Sequence, residues 1–320
     1  SIGTLRTIRT LTYDWSVVDT TDDGSDDVYV IQREYDRNDD VKAVPLARLN
    51  TRTGELKDLS KGAPDNVRQW LLDSRKEPRV VTTVGQGRQK IFWRQPGQTA
   101  WTQIADFDDY GGDGFDPWQL ESESVLLVRA RAGSDFTAIH RFDLAKRQLD
   151  PTPLVAVRGF DLHPTAEVDR RAGTLVGLHF VADRPMSYWF NDDLARLQKS
   201  IDAALPPGRI NRLLCGRCES TRKIGIASYS DRMPGEYFIF DRDQRTLERL
   251  GARRPALAED QQGRRSLHRV AARDGLSLPV IVTHPPGSTD KQALPTVLLV
   301  HGGPWIRGGD LRWSAQAQEL

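Results

Sequence analysis

Cysteine, methionine and histidine are scarce in this chain: two, two and six residues among 320. Two cysteines cannot make the dense cross-linked scaffold of a small secreted domain. Charge of one sign is also missing, since 45 Lys and Arg face 44 Asp and Glu for a net charge of +1. A cationic surface is therefore not the organising feature, and neither nucleic acid nor an anionic membrane is an expected partner. Long apolar runs are absent as well. The stretch 297–300 is typical, far from the roughly 20 residues that a membrane-spanning helix needs. No targeting segment is legible, and the chain begins at Ser1 rather than Met, so the compartment stays open. What is present is 38% hydrophobic residues and eight Trp, enough to build a sizeable core.

The dominant local signal is short β-structure. Runs of β-branched and aromatic residues at 28–32, 79–84, 89–94, 125–129, 138–142, 175–180, 187–190, 223–228 and 236–240 are mostly bounded by Gly, Asp, Asn or Pro. Helical spacing is confined to 191–204, where Leu194, Leu197, Ile201 and Leu205 recur every three or four residues.

The strand signals repeat. A strand, an Asx-containing turn and a second polar-apolar strand recur around Asn50, Asp143, Asn191 and Asp241, with a weaker copy at Gln95. The intervals along Asn50, Gln95, Asp143, Asn191 and Asp241 are 45, 48, 48 and 50 residues. A period of about 40 to 50 residues with four short strands per unit is the signature of β-propeller blades. The fold class expected is mostly β: a partial propeller of about five four-stranded blades over 1–252, then a linker at 253–265. The linker carries four Arg among Glu and Asp and reads as a solvated loop.

From 266 the pattern changes. Apolar runs at 267–272 and 278–283 flank Arg273-Asp274-Gly275, a strong hairpin signal. The run 295–300 reads as a strand buried in a parallel sheet, and it ends at His301-Gly302-Gly303-Pro304-Trp305. Paired glycines let the backbone turn sharply and present N–H groups with no Cβ in the way. After such a strand, an α/β-hydrolase places part of its oxyanion hole.

With these motifs in order, the chain resembles the prolyl oligopeptidase family of serine peptidases. The likeness is closest to the bacterial acylaminoacyl-peptidase-like and dipeptidyl-aminopeptidase-like branch. It rests on the repeats, on Ala272-Arg-Asp-Gly-Leu-Ser-Leu-Pro279, and on Leu294-Pro-Thr-Val-Leu-Leu-Val-His-Gly-Gly-Pro-Trp305. Ser228-Tyr-Ser-Asp-Arg-Met-Pro-Gly-Glu-Tyr237 and Asp106-Phe-Asp-Asp-Tyr-Gly-Gly-Asp-Gly-Phe115 also resemble blade segments of that branch. The resemblance implies that 266–320 opens an α/β-hydrolase domain, that the propeller caps it, and that short peptides bind in the cavity between them without a cofactor. It implies an oxyanion loop at His301, Gly302 and Gly303. Some relatives carry a Tyr at the position of His301, so here a backbone N–H of Gly302 or Gly303, or the His301 imidazole, would serve.

No Gly-x-Ser-x-Gly occurs in these 320 residues; the nearest string is Gly275-Leu-Ser-Leu-Pro279. In the hydrolase order the Ser, Asp and His follow the oxyanion strand. They are expected beyond Leu320, with further blades before Ser1, and the chain by itself is expected to be inactive. An esterase or acyl-peptide hydrolase on the same scaffold, or a non-catalytic propeller that binds proteins, stays open.

Other candidates read as structural. Cys215 and Cys218 form a lone Cys-x-x-Cys with no second Cys or His pair following at metal-site spacing, so no metal site is expected and a turn or an incidental disulfide is. His140, His163, His179, His268 and His284 are scattered through strands and turns. The acidic stretches 22–27 and 106–116 lack the alternation of a calcium loop. Trp118, Trp189, Tyr229 and Tyr237 read as blade-packing aromatics able to face a substrate.

Overall fold

The computed structural model describes residues 11–21, 23–111, 114–169, 173–215, 218, 220–289, 292–303 and 309–320. It divides into two compact units, Ser1–Asp161 and Leu162–Leu320.

The first unit holds three antiparallel four-stranded meanders. The first sheet orders Trp15–Thr20, Asp27–Gln32, Leu46–Asn50 and Leu56–Asp58, with a small hairpin of Glu34–Tyr35 and Val41–Ala43 inserted before its third strand. The second comprises Val67–Leu72, Pro78–Gly85, Arg88–Trp93 and Thr102–Asp108. The third comprises Phe115–Leu120, Val125–Ala130, Ala138–Asp143 and Gln148–Leu149. Each is a propeller blade in form. The inner strands are apolar on both faces because sheets cover them on both sides: Val80 and Ile91 of the second sheet pack with Leu126, Val128 and Phe142 of the third. The outer strand Leu56–Asp58 is exposed throughout and carries Lys and Asp, which blunts a sheet edge against pairing with another chain.

The second unit holds a fourth sheet of Thr165–Asp169, Thr174–Val181 and Pro185–Trp189, and a fifth of Ile210–Leu214, Lys223–Tyr229, Glu236–Asp241 and Thr246–Ala252. The fourth departs from the expected four strands. Where its fourth strand would follow stands the helix Asp192–Ala204. Asn191 caps it, its side chain accepting from the Leu194 amide at 3.0 Å, and Leu194 and Ile201 point inward. A 3.6-residue apolar period cannot sit as a strand, so the repeat breaks here.

The repeat period marks one device. Asn50, Asp143 and Asp241 each end the third strand of a blade, and each side-chain Oδ1 accepts from the backbone N–H groups two and three residues on, at 2.8–3.1 Å. Four residues on, the backbone enters the left-handed region, at Gly54 (φ 75°), Arg147 (φ 57°) and Arg245 (φ 52°). The Asx side chain replaces the hydrogen bonds that the ladder loses as the chain reverses.

After the blades, a short 3-10 turn Glu259–Gln261 leads to the hairpin Arg264–Ala271 and Ser277–His284. Its first strand begins inside the segment read as a linker. Asp274 accepts from the Leu276 amide at 3.0 Å, and Gly275 takes φ 84°, as the Asp-Gly signal implies. The strand expected at 295–300 is not formed. Residues 293–300 are irregular, with Val297 at 61% and Val300 at 82% exposure. A run of four apolar residues becomes a buried strand only when neighbours supply hydrogen bonds on both edges, and among the described residues none pairs with it. The chain closes on the short helix Ala315–Glu319.

Candidate functional site

His301, Gly302 and Gly303 lie at the end of the irregular segment, all exposed. The His301 Nδ1 is 3.2 Å from the Gly302 carbonyl oxygen. Gly303 turns the chain at φ 75°, where a side chain would be strained, and a Cβ at Gly302 would meet open space. The loop thus has the backbone freedom that an oxyanion-binding turn requires. No other catalytic candidate stands beside it among the described residues. Pro304 and Trp305 lie outside them.

A cavity of about 580 Å³ opens in the second unit between the fifth sheet and the C-terminal segment. Arg212, Tyr229 and Tyr237 come from the blade, and Asp310, Arg312 and Trp313 from the segment. The segment is tied to the blade and the turn after it by the Trp313 amide on the Ser230 carbonyl (3.0 Å) and the Trp313 indole on Gln262 Oε1 (2.9 Å). Asp310, 8% exposed, accepts Arg312 Nε at 2.9 and 2.8 Å on its two oxygens. That hydrogen bond holds the Arg312 guanidinium above its ordinary value. Burial pushes the Tyr229 hydroxyl up and Arg265 down. Arg212, Arg253 and Arg265 line the same space, with Asp310 as the acidic member of its lining. Aromatic walls under an excess of guanidinium suit a group that is flat or apolar at one end and carboxylate-bearing at the other. Tyr229 and Tyr237, read from sequence as blade aromatics able to face a ligand, both reach this cavity.

The remaining sequence candidates have structural partners. His140 is buried, its Nδ1 2.9 Å from the Asp150 carbonyl oxygen. His268 meets Ser266 Oγ at 2.9 Å on the exposed hairpin. His163 and His284, and Trp118 among the aromatics, are also engaged. The acidic stretches are neutralised by guanidinium groups: Asp23 and Asp27 pair with Arg48 at 3.1 and 2.6 Å, Asp106 and Asp108 with Arg88 at 2.7 and 2.8 Å, and Asp116 with Arg129 at 3.3 Å. Asp22 and Asp113 lie outside the described residues.

The cysteines are another matter. Cys215 and Cys218 are joined by a disulfide with Cα atoms 4.9 Å apart. The fold brings Glu167 and His179, from the first two strands of the fourth sheet, to the same place. Cys218 Sγ lies 3.6 Å from Glu167 Oε1, and His179 Nε2 lies 3.4 Å from Glu167 Oε2. These residues precede the cysteines by 36 to 51 positions, so no spacing around the Cys-x-x-Cys marks them. The one local signal was a histidine in an apolar strand one residue after Leu178.

No protein-family model matches the chain, and no curated protein matches it in sequence. Its fold does match solved structures. A Bacteroides ovatus protein assigned as a dipeptidyl aminopeptidase IV superposes over 97% of this chain and 52% of its own, with TM-score 0.52 and 11% identity. A puromycin hydrolase mutant complexed with PGG superposes over 87% of this chain and 44% of its own, with TM-score 0.50 and 14% identity. The chain therefore spans about half the length of the structures it resembles. At these identities the likeness is one of fold: a partial β-propeller of the kind found in propeller-bearing peptidases and hydrolases.

Proposed function

We propose that this chain is the propeller and the opening of the hydrolase domain of a serine peptidase of the prolyl oligopeptidase family. In this reading residues 1–252 form the propeller, 253–265 connect, and 266–320 begin the catalytic domain. The observation that carries it is the order of parts: blades with a 45–50 residue repeat, an Asp-Gly hairpin, then His301-Gly302-Gly303, together with the fold likeness over nearly the whole chain.

Mechanistically, the backbone N–H of Gly302 or Gly303 would stabilise the oxyanion formed when a serine attacks a peptide carbonyl. The serine, acid and histidine follow Leu320 in this reading. The Arg-rich cavity beside Tyr229 and Tyr237 would hold the polar end of a short peptide. The 320 residues alone are then inert toward peptides and esters.

Two experiments test this. The coding sequence past Leu320 should contain a Gly-x-Ser-x-Gly elbow followed by Asp and His; their absence overturns the proposal. The extended protein should label with a fluorophosphonate probe and hydrolyse aminoacyl-nitroanilide or acylated-peptide substrates, whose relative rates separate a dipeptidase from an acyl-peptide hydrolase or an esterase. A second reading, a binding propeller without catalysis, is favoured by the lack of any Gly-x-Ser-x-Gly within the chain; failure of the extended protein to label would establish it.

A further inference from the structure

The disulfide sits among groups it does not need. Glu167, with 19% of its side chain exposed, presents its carboxylate to Cys218, and donor atoms of Glu167, Cys215 and Cys218 all lie within 4.8 Å of one another. On the far side of that carboxylate is the His179 ring, 7% exposed. His179 Nε2 is buried and makes no hydrogen bond, although it faces Glu167 Oε2 at 3.4 Å. The other ring nitrogen, Nδ1, is engaged with Ser187 Oγ at 2.8 Å. Trp189 fixes the ring plane from the side, edge-to-face at 5.4 Å. An imidazole held through Nδ1, with Nε2 turned to a carboxylate, is the posture of an outer partner that orients a ligating carboxylate.

Three of these donors are close enough for one ion: Glu167, Cys215 and Cys218 lie mutually within 4.8 Å, and His179 stands outside that set, behind the carboxylate. Bonds of about 2.0–2.1 Å to O and 2.3 Å to S place the tetrahedral O···S edge at roughly 3.6 Å. The O···S spacing is that of Cys218 Sγ from Glu167 Oε1, while His179 Nε2 meets the other oxygen, Oε2, and so braces the carboxylate rather than sharing its ion. Two thiolates and a carboxylate form a borderline-soft donor set that selects zinc over magnesium or calcium. Burial around Cys218 and Val176, with Leu194 of the helix, keeps the site dry.

We propose that Cys215, Cys218 and Glu167, with His179 bracing the Glu167 carboxylate, form a zinc-class cation site that exists only when the Cys215–Cys218 disulfide is reduced. Two molecules of a cellular thiol reduce the disulfide to two cysteine thiols and leave as their own disulfide. The cation then binds both sulfurs as thiolates and releases two protons. Reoxidation by a disulfide re-forms the Cys215–Cys218 bond and expels the ion. The site is independent of the peptidase reading, since it uses no residue of the Arg-lined cavity or the His301 loop.

The test uses the full 320-residue chain, reduced with dithiothreitol, freed of it under nitrogen and titrated with cobalt(II). The reduced chain should take up one equivalent, with thiolate-to-cobalt charge-transfer and tetrahedral d–d bands that zinc(II) abolishes. The oxidised chain should show neither. Glu167→Gln and His179→Gln should each weaken cobalt binding at least tenfold, and the Cys215→Ser, Cys218→Ser pair should remove the charge-transfer band. Circular dichroism of each variant verifies the fold, and a zinc-dependent rise in melting temperature confined to the reduced wild type is a second readout. Absence of the bands in the folded, reduced wild type overturns the proposal. So does undiminished binding in both the Glu167 and His179 variants, which would make the cysteines a bare dithiol chelate.

Discussion

Arg209 should be a thermodynamic anchor of the fifth sheet, and its removal should show a pH signature that simple packing loss would not. Arg209 immediately precedes the strand Ile210–Leu214 and is 9% exposed. One guanidinium nitrogen donates to Glu236, at the start of the third strand, and another donates to Glu259 of the 3-10 turn at 3.0 Å. Glu236 is 12% exposed and also accepts from Arg249 Nε at 2.9 Å. Removing one partner of a fully buried pair costs about 3–5 kcal/mol. Here Arg249 remains for Glu236, and Glu259 is a third exposed, so its pair is worth at most about 1 kcal/mol. Arg209→Met, which keeps the aliphatic stem, should therefore cost about 2–3 kcal/mol.

Burial pushes the Glu236 carboxyl up, and hydrogen bonds from Arg209 and then Arg249 more than reverse this, leaving it below its ordinary value. A depressed carboxyl contributes stability that is present above the unfolded pKa of about 4.3 and is lost as pH falls through the folded value. Without Arg209 the burial cost is less opposed and the carboxyl moves up. The deficit of Arg209→Met should then be largest at pH 7 and shrink below about pH 4, as Glu236 protonates in both proteins. Amide hydrogen exchange along Ile210–Leu214, corrected for intrinsic rates, reads this locally. At pH 7 the variant should exchange roughly thirty- to 150-fold faster, at about 1.4 kcal/mol per tenfold. A deficit of the same size at pH 7 and pH 3 would refute the electrostatic argument and leave only lost packing.

Three further outcomes follow from the turns and close contacts. Gly177→Ala would set a Cβ 2.4 Å from Trp189 Cε3 and 2.9 Å from the Tyr188 carbonyl oxygen, so a loss of about 1–3 kcal/mol is expected, read as a lower melting temperature and altered tryptophan emission. Asn191→Ala removes the acceptor for the Leu194 amide and should cost about 1 kcal/mol, with exchange accelerated in the first turn of the helix; an unchanged rate would mean the helix is held by packing alone. Asp143 and Asp241 are held below the usual carboxylate range, first by the amides of Lys146 and Gln244, so their contribution is lost as pH falls through those depressed values. The Asn variants keep the turn acceptor without titrating, and the urea midpoint of the double variant should fall less steeply between pH 5 and 3 than that of the wild type.

The inner strands and the helix were legible because their signals are local. Val125–Ala130 reads Val-Leu-Leu-Val, and it is buried on both faces, so apolarity needs no partner sequence to be recognised. The outer strands Thr102–Asp108, Phe115–Leu120 and Thr165–Asp169 escaped because they lie at sheet edges, where charged and polar residues interrupt alternation. Pro117 sits within one of them, tolerable only at an edge. The run 297–300 failed in the opposite sense. Its composition is that of a central strand, but strand formation is a property of pairs, and no local pattern reveals whether a pair exists. The His301 loop shares that fate: its glycines were readable, its surroundings were not. The nearness of Glu167 and His179 to the cysteines was hidden for a third reason, since residues brought together from distant strands have no fixed spacing in sequence.

The break in the repeat and the unexplained chemistry coincide. Four of the five sheets follow the four-strand rule, and in three of them an Asx side chain reverses the chain after the third strand. In the fourth sheet the same position, Asn191, caps a helix instead. Leu194 of that helix packs with Val176 and Cys218, and Leu197 and Trp189 complete the cluster. Gly177 admits the Trp189 ring, which a Cβ would exclude, and Trp189 in turn sets the plane of His179. Each of these features departs from a blade's simplest solution, and each bears on the space around Cys215, Cys218, Glu167 and His179. These departures surround the proposed cation site. The cation titration therefore bears on why this blade is built differently: if the reduced chain binds no metal, the helix, the glycine and the cysteine pair need a common explanation in packing, and Gly177→Ala and Asn191→Ala would measure how much packing can supply.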